Sequence, residues 1–174
     1  MATGTRELLA LRHAKSAWDA EVRTDYDRPL ARRGERDAPR IGAWIREHGL
    51  APRLIISSPA RRAQQTTERV AEELDLDDDA IRWDERVYGG GVGDLLATLA
   101  EHAARGPARV MLVGHNPGLE DLVEHLAAGE LPAPPGRKSF PTGALARLRL
   151  PRVWSDLEAG AGELIELIRP RALA

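Results

Sequence analysis

Three short apolar runs stand out along the chain: Leu8-Leu9-Ala10-Leu11, Leu54-Ile55-Ile56 and Val110-Met111-Leu112-Val113. None has a helical period, and each is bounded by polar or turn-forming residues. Continuous runs of this length read as strands buried on both faces, the pattern of a parallel sheet. Between them the period changes. Ile41, Trp44, Ile45 and His48 fall on one stripe and predict a helix over 35–48, with Pro39 in its first turn and Gly49 as its stop. Further helices are predicted over 60–74, from about 94 to 105, and from Pro117 to about 128, where Asn116 is a suitable N-cap and Pro117 a suitable first residue. Residues 81–87 read as a more exposed strand, and 144–150 with 164–168 as a closing pair of strands. Residues 17–33 form a polar stretch without period, a long loop over the sheet edge or the site. Residues 75–79 make an acidic turn, and 89–93 a glycine-rich flexible joint. Residues 131–143, with four prolines and two glycines, form a loop. Alternating strands and helices predict a three-layer α/β/α sandwich with a mostly parallel central sheet. With no repeat and no shift in composition, residues 1–174 are expected to form a single domain.

Composition narrows the possibilities. The chain has 174 residues, 43% apolar and 30% charged, as in ordinary soluble domains. A net charge of −2 gives no reason to expect a nucleic-acid partner, so any attraction for anions has to be local. The absence of cysteine excludes disulfides, thiolate metal sites and a Cys nucleophile. The first residues lack a signal-peptide core, and no apolar run approaches the ~20 residues of a membrane span. A cytoplasmic protein without a membrane partner is expected.

The candidate chemistry lies where the apolar runs end. The first stops at Arg12-His13, the second at Ser57-Ser58 with Arg61 and Arg62 just inside the next helix, and the third at His115-Asn116. If the strands are parallel, all three endings share one edge of the sheet, where open α/β sheets bind their ligands. Two histidines, two or three arginines and two helix amino ends then converge. That set suits a phosphoryl group. Arginine in the first turn of a helix is unfavourable unless an anion is nearby, which favours the same reading. An imidazole can attack phosphorus, and a second one can stabilise charge on the transferring oxygens.

Four segments carry a resemblance: Arg12-His13-Ala14-Lys15-Ser16; Asp27-Arg28-Pro29-Leu30 with Gly34; Ser57-Ser58-Pro59-Ala60-Arg61-Arg62-Ala63-Gln64-Gln65-Thr66; and Gly114-His115-Asn116-Pro117. In this order they resemble the histidine phosphatase superfamily, and within it the SixA-type phosphohistidine phosphatases. The resemblance runs from about residue 8 to 150. It implies a phosphoglycerate-mutase-like fold, His13 as nucleophile, Arg12 and Arg62 as clamps on the phosphoryl oxygens, and His115 completing the electrostatic pocket. Arg62 is preferred to Arg61 because it falls four residues after Ser58, where the family motif has its arginine. No metal and no other cofactor is implied, since the arginines supply the positive charge. Lys15, Ser16 and Asn116, and less directly Lys138, are candidate substrate donors.

Two departures shape the expected substrate. Larger members of the superfamily have glycine after the Arg-His pair where this chain has Ala14. They also carry a carboxylate general acid, for which Glu85 is the nearest candidate and Asp19 a poorer one. An alkoxide leaving group needs a proton, whereas imidazole, whose conjugate acid has a pKa of ~6.5, leaves readily. The segment from Arg62 to His115 must also hold the rest of a helix, a strand and another helix, leaving no length for a large helical lid. An open site, with Trp18 at its rim, suits a phosphohistidine side chain on a protein. The alternatives are a small-molecule phosphomonoesterase acting on a sugar or nucleotide phosphate, and a phospholigand-binding module without turnover. His48, His102 and His125 are read as surface or flanking histidines.

Overall fold

The structure is a computed structural model describing residues 5–151, 153–155 and 157–173. Its six-stranded sheet contains β1 (Arg6–Arg12), β2 (Leu54–Ser57), β3 (Ile81–Trp83), β4 (Arg109–Gly114), β5 (Leu145–Leu150) and β6 (Glu163–Ile168). The strand order is β3-β2-β4-β1-β5-β6. The first four strands of that order are mutually parallel, and β5 and β6 close the far edge antiparallel. The mostly parallel sheet and the closing pair expected from the sequence are both present.

Both faces of the sheet are covered. Leu9, Leu11, Ile55, Met111 and Val113 pack against Ile41 and Ile45 of α1 (Arg32–Glu47) and Ala63 and Val70 of α2 (Arg61–Glu73). On the other face Leu8, Ala10, Ile56, Val110 and Leu112 meet α4 (Val92–Ala103) and α5 (Gly118–Ala127). Alternate residues of each central strand thus enter opposite cores, which is why these runs are apolar throughout. Each fully buried Leu or Ile contributes about 1.5–3 kcal/mol. Among the described residues no helix is long and apolar enough to cross a membrane.

The structure corrects three expected boundaries. The strand expected over 81–87 ends at Trp83, and a short helix α3 (Arg86–Gly89) follows. Asp84 turns the chain there: its Oδ1 accepts the Arg86 N–H at 3.0 Å, and its carbonyl accepts that of Val87 at 3.1 Å. Helix α1 begins at Arg32 rather than 35, so Pro39 lies in its interior and not in the first turn. An interior proline costs about 3 kcal/mol. It is tolerated because the helix start is pinned elsewhere: the Ala31 N–H donates to the Lys15 carbonyl at 2.9 Å, while Ala38, Ile41 and Ile45 are buried. Helix α5 begins at Gly118, after a cis Asn116–Pro117 bond, and the Asn116 side chain does not cap it. Its Nδ2 donates instead to Glu120 at 2.8 Å and to the Phe140 carbonyl at 3.1 Å.

The long loop is pinned at its base. Ser16 pairs with Leu30 in an antiparallel bridge, and the Ala17 N–H donates to the Pro29 carbonyl at 2.9 Å. Gly34 permits the close approach of α1, because a Cβ there would stand 2.1 Å from the Lys15 carbonyl oxygen. Gly34→Ala is therefore expected to destabilise the fold by about 2 kcal/mol, the scale of overpacking. Thermal unfolding should show Tm lowered by about 4–8 °C, whereas an unchanged Tm would mean that α1 and the 14–16 segment separate freely.

Candidate active site

The carboxyl ends of β1, β2 and β4 open into a cavity of about 540 Å³ lined by Arg12, His13, Arg62, His115 and their neighbours. Register brings them together. Arg12 is opposite Gly114 in the β1–β4 pairing, and the His13 N–H donates to the Gly114 carbonyl at 3.0 Å. The two imidazoles consequently lie with ring centroids 5.0 Å apart.

His13 is held in one tautomer. Its Nδ1 lies 2.7 Å from the Ala14 carbonyl, which can only accept, so Nδ1 carries the proton and Nε2 keeps its lone pair. Arg62 Nε points at that lone pair from 3.4 Å. Thr66, one turn beyond Arg62, donates to the Arg62 carbonyl at 2.7 Å and accepts the Ala14 N–H at 3.0 Å. The nucleophile strand and the arginine helix are thereby fastened through one hydroxyl. On the opposite side His115 Nε2 lies 2.7 Å from Ser58 Oγ. Arg12 donates from its terminal nitrogen to the Phe140 carbonyl at 2.9 Å. Arg12 Nε and His115 Nδ1 are buried without a hydrogen-bond partner among the described residues.

Burial and neighbouring positive charge govern the protonation states. Desolvation holds the His13 imidazole well below its ordinary value, and His115, Arg62 and Arg12 add to the effect, while the bond to Ala14 opposes it. His115 is lowered to about 3, chiefly by burial and then by Arg62. Both rings are neutral near pH 7 when the site is empty. Two neutral imidazoles, one with its unprotonated Nε2 facing the Arg62 Nε–H, sit beside fixed guanidinium charge, an arrangement that accommodates a tetrahedral oxyanion.

Of the remaining candidates, Lys15, Ser16, Asn116 and Lys138 line the cavity. Arg61 is exposed while Arg62 is buried, so the structure separates the adjacent pair. Trp18 is 74% exposed at the rim with the Arg28 guanidinium 3.6 Å from its ring centroid. Glu85 is outside the cavity lining and accepts a hydrogen bond from Tyr26 at 3.0 Å. Asp19 is exposed and likewise outside the lining. His48 stacks on Trp44, His102 lies 2.8 Å from Asp84, and His125 is near the Leu157 carbonyl, all outside the cavity.

The structure adds a residue that sequence reasoning passed over. Asp25 sits in a 3-10 turn of the connection between β1 and α1, where no period or motif marks it. Its carbonyl and carboxylate accept from two nitrogens of Arg62 at 2.7 and 2.8 Å. The same carboxylate accepts from Arg28 at 2.7 Å and from the Tyr88 hydroxyl at 3.0 Å. Arg28, which also donates to Ser16 Oγ, holds Asp25 far below the usual carboxylate range, with Tyr88 and Arg62 reinforcing it. Tyr88 in turn meets His115 edge-on at 5.4 Å. The only sequence signal was proximity to Asp27-Arg28-Pro29-Leu30.

The chain is similar to known proteins along most of its length. Residues 8–126 match the family model of the histidine phosphatase superfamily (branch 1). The phosphohistidine phosphatase SixA of Escherichia coli is 31% identical over 144 residues, covering 83% of this chain and 85% of that protein. An uncharacterised Mycobacterium tuberculosis protein is 34% identical over 165 residues, covering 92% of this chain and all of its own length. Among solved structures, the protein histidine phosphatase SixA complexed with tungstate superposes with a TM-score of 0.78 at 26% identity, over 97% of this chain and 99% of that one. A mycobacterial glucosyl-3-phosphoglycerate phosphatase shares the fold, with a TM-score of 0.62 at 19% identity over 93% of this chain and 98% of that one. The chain belongs to branch 1 of the histidine phosphatase superfamily.

Proposed function

We propose that this phosphatase works without a metal, takes the phosphoryl group onto Nε2 of His13, and acts on phosphohistidine in a protein substrate. The observation that carries this reading is the tautomer of His13: the Ala14 carbonyl fixes the proton on Nδ1 and leaves the Nε2 lone pair facing Arg62. In the first step that lone pair forms a P–N bond in line with the departing group. The bond between phosphorus and the substrate imidazole breaks, and the departing nitrogen takes a proton from solvent. In the second step water attacks the phosphorus and releases a proton to solvent, the His13–phosphorus bond breaks, and inorganic phosphate leaves with the lone pair restored to Nε2.

Arg12 and Arg62 clamp the non-bridging oxygens, and His115 contributes a further polar contact. Lys15 and Ser16 add donors around the phosphate, whereas both Nδ2 hydrogens of Asn116 are taken by Glu120 and the Phe140 carbonyl, which removes its amide as a donor. Asp25 is a positioning residue that orients the Arg62 fork. The tungstate held by the SixA neighbour is a tetrahedral oxyanion of the kind this cradle suits. The relatedness to E. coli phosphohistidine phosphatase SixA and the placement of Glu85 outside the cavity both support an imidazole leaving group over an alkoxide. A second reading, a small-molecule phosphomonoesterase, requires Glu85 to swing in from Tyr26 and serve as general acid.

Three outcomes are expected. With EDTA present, the wild type should dephosphorylate a phosphohistidine protein with higher kcat/KM than alkyl phosphates, and His13→Ala should lose at least about 10³-fold. Higher efficiency on an alkyl phosphate would favour the second reading. Asp25→Asn should lower kcat roughly tenfold, the scale of one charge-assisted hydrogen bond, measured by steady-state kinetics on the same substrate. Finally, because the folded-state values of His13 and His115 lie below the unfolded ~6.5, neutral rings persist as pH falls through 6.5. Stability arising from these rings is complete above pH 6.5 and is lost as pH falls below it. NMR titration of the ligand-free protein should show neither ring titrating at 6.5, and a midpoint there would contradict the assigned burial effect.

A further inference from the structure

The positive charge of the cavity exceeds what one phosphoryl group uses. Nine of its lining side chains are Arg or Lys and none is a carboxylate, in a chain whose net charge is −2. The buried cations, Arg28 and Arg62, stand at the phosphoryl end and are held by Asp25. Arg33 is offset by Asp37 at 3.4 Å. A second group lies along the outer wall: Arg137 and Lys138 from the 131–143 loop, with Arg169 and Arg171 after β6. None of these four forms an ion pair with another described residue. Arg169 is fixed by donating to the carbonyls of Ser139 and Pro132, which leaves its charge uncompensated.

Resting on the phosphohistidine reading, we propose that this wall docks acidic residues flanking the phosphohistidine of a protein substrate. The distribution of the cations decides between ligand classes. A second phosphate on a small molecule needs convergent, buried donors fixed by hydrogen bonds. Here Arg137, Lys138 and Arg171 are exposed, and they reach the mouth from two segments, the 131–143 loop and the chain after β6. Such side chains suit carboxylates spread over a protein surface, where each pair is weak and the summed field steers encounter. A nucleic acid is less suited, since the described lining offers one tryptophan, Trp18, and Arg28 already covers a face of it.

The test uses three synthetic peptides with the same phosphohistidine, flanked by glutamates, alanines or lysines. At low ionic strength kcat/KM should be about tenfold higher for the glutamate peptide than for the lysine peptide, and the two should converge in high salt. In Arg137→Gln/Arg171→Gln the ratio of glutamate to alanine peptide should fall toward one. Affinities of the peptides for His13→Ala, which cannot turn them over, separate docking from chemistry. Preference for the glutamate peptide there, with no turnover by the wild type, would retain the docking wall and remove the phosphohistidine reading. Equal affinities would overturn the wall even if every peptide were dephosphorylated. Tighter binding of a single-stranded oligonucleotide than of the glutamate peptide would also overturn it.

Discussion

Parallel, in-register pairing of β1 with β4 is the constraint from which the site follows. Glu7 opposite Arg109 through Arg12 opposite Gly114 leaves both strands ending at the same level. The next residue on one is His13 and on the other His115. A slip of one residue would exchange inward and outward faces along the strand and pull the two imidazoles out of contact. Burial of Leu8 and Ala10 in one core and Leu9 and Leu11 in the other makes such a slip costly, since every apolar side chain would change cores. Core packing and site geometry are thus set by a single register.

Around that axis the site is stiffened by polar contacts that do not themselves reach a substrate. Thr66 links the Ala14 amide to the first turn of α2, and Ser58 holds His115. Ala14 fixes the His13 tautomer through its carbonyl. Asp25 collects Arg28, Arg62 and Tyr88 from three parts of the chain. Arginine would otherwise lose side-chain entropy on binding an anion, and holding the guanidinium beforehand reduces that cost. The low folded-state affinity of both histidines for protons has the same origin, burial beside fixed positive charge. It keeps the ring nitrogens available as lone-pair donors or hydrogen-bond partners near neutrality.

The places where expectation and structure part are instructive because local rules were overridden by identifiable contacts. Pro39 reads as a first-turn residue, yet α1 begins seven residues earlier because Ala31 and Gly34 meet the Lys15 carbonyl. Residues 81–87 read as one strand, yet Asp84 draws two following amides into a turn. Asn116 has the chemistry of a helix cap, yet Glu120 and the Phe140 carbonyl take its amide group. In each case the deciding partner is distant in sequence or is a side chain competing with the backbone.

The sequence by itself determined the layered α/β fold and the three strand ends, and it marked as candidates Arg12, His13, Arg62 and His115, which line one cavity. These are carried by contiguous apolar runs and by short segments whose meaning does not depend on distant partners. Only the tertiary structure decided that Asp25 reaches Arg62, that Glu85 turns toward Tyr26, and that Arg137, Lys138, Arg169 and Arg171 all line the cavity. Asp25, Glu85 and the four cations lie in loops, turns and short 3-10 segments, where no periodicity encodes direction. Their positions are set by long-range hydrogen bonds and packing that exist only once the chain has closed on itself.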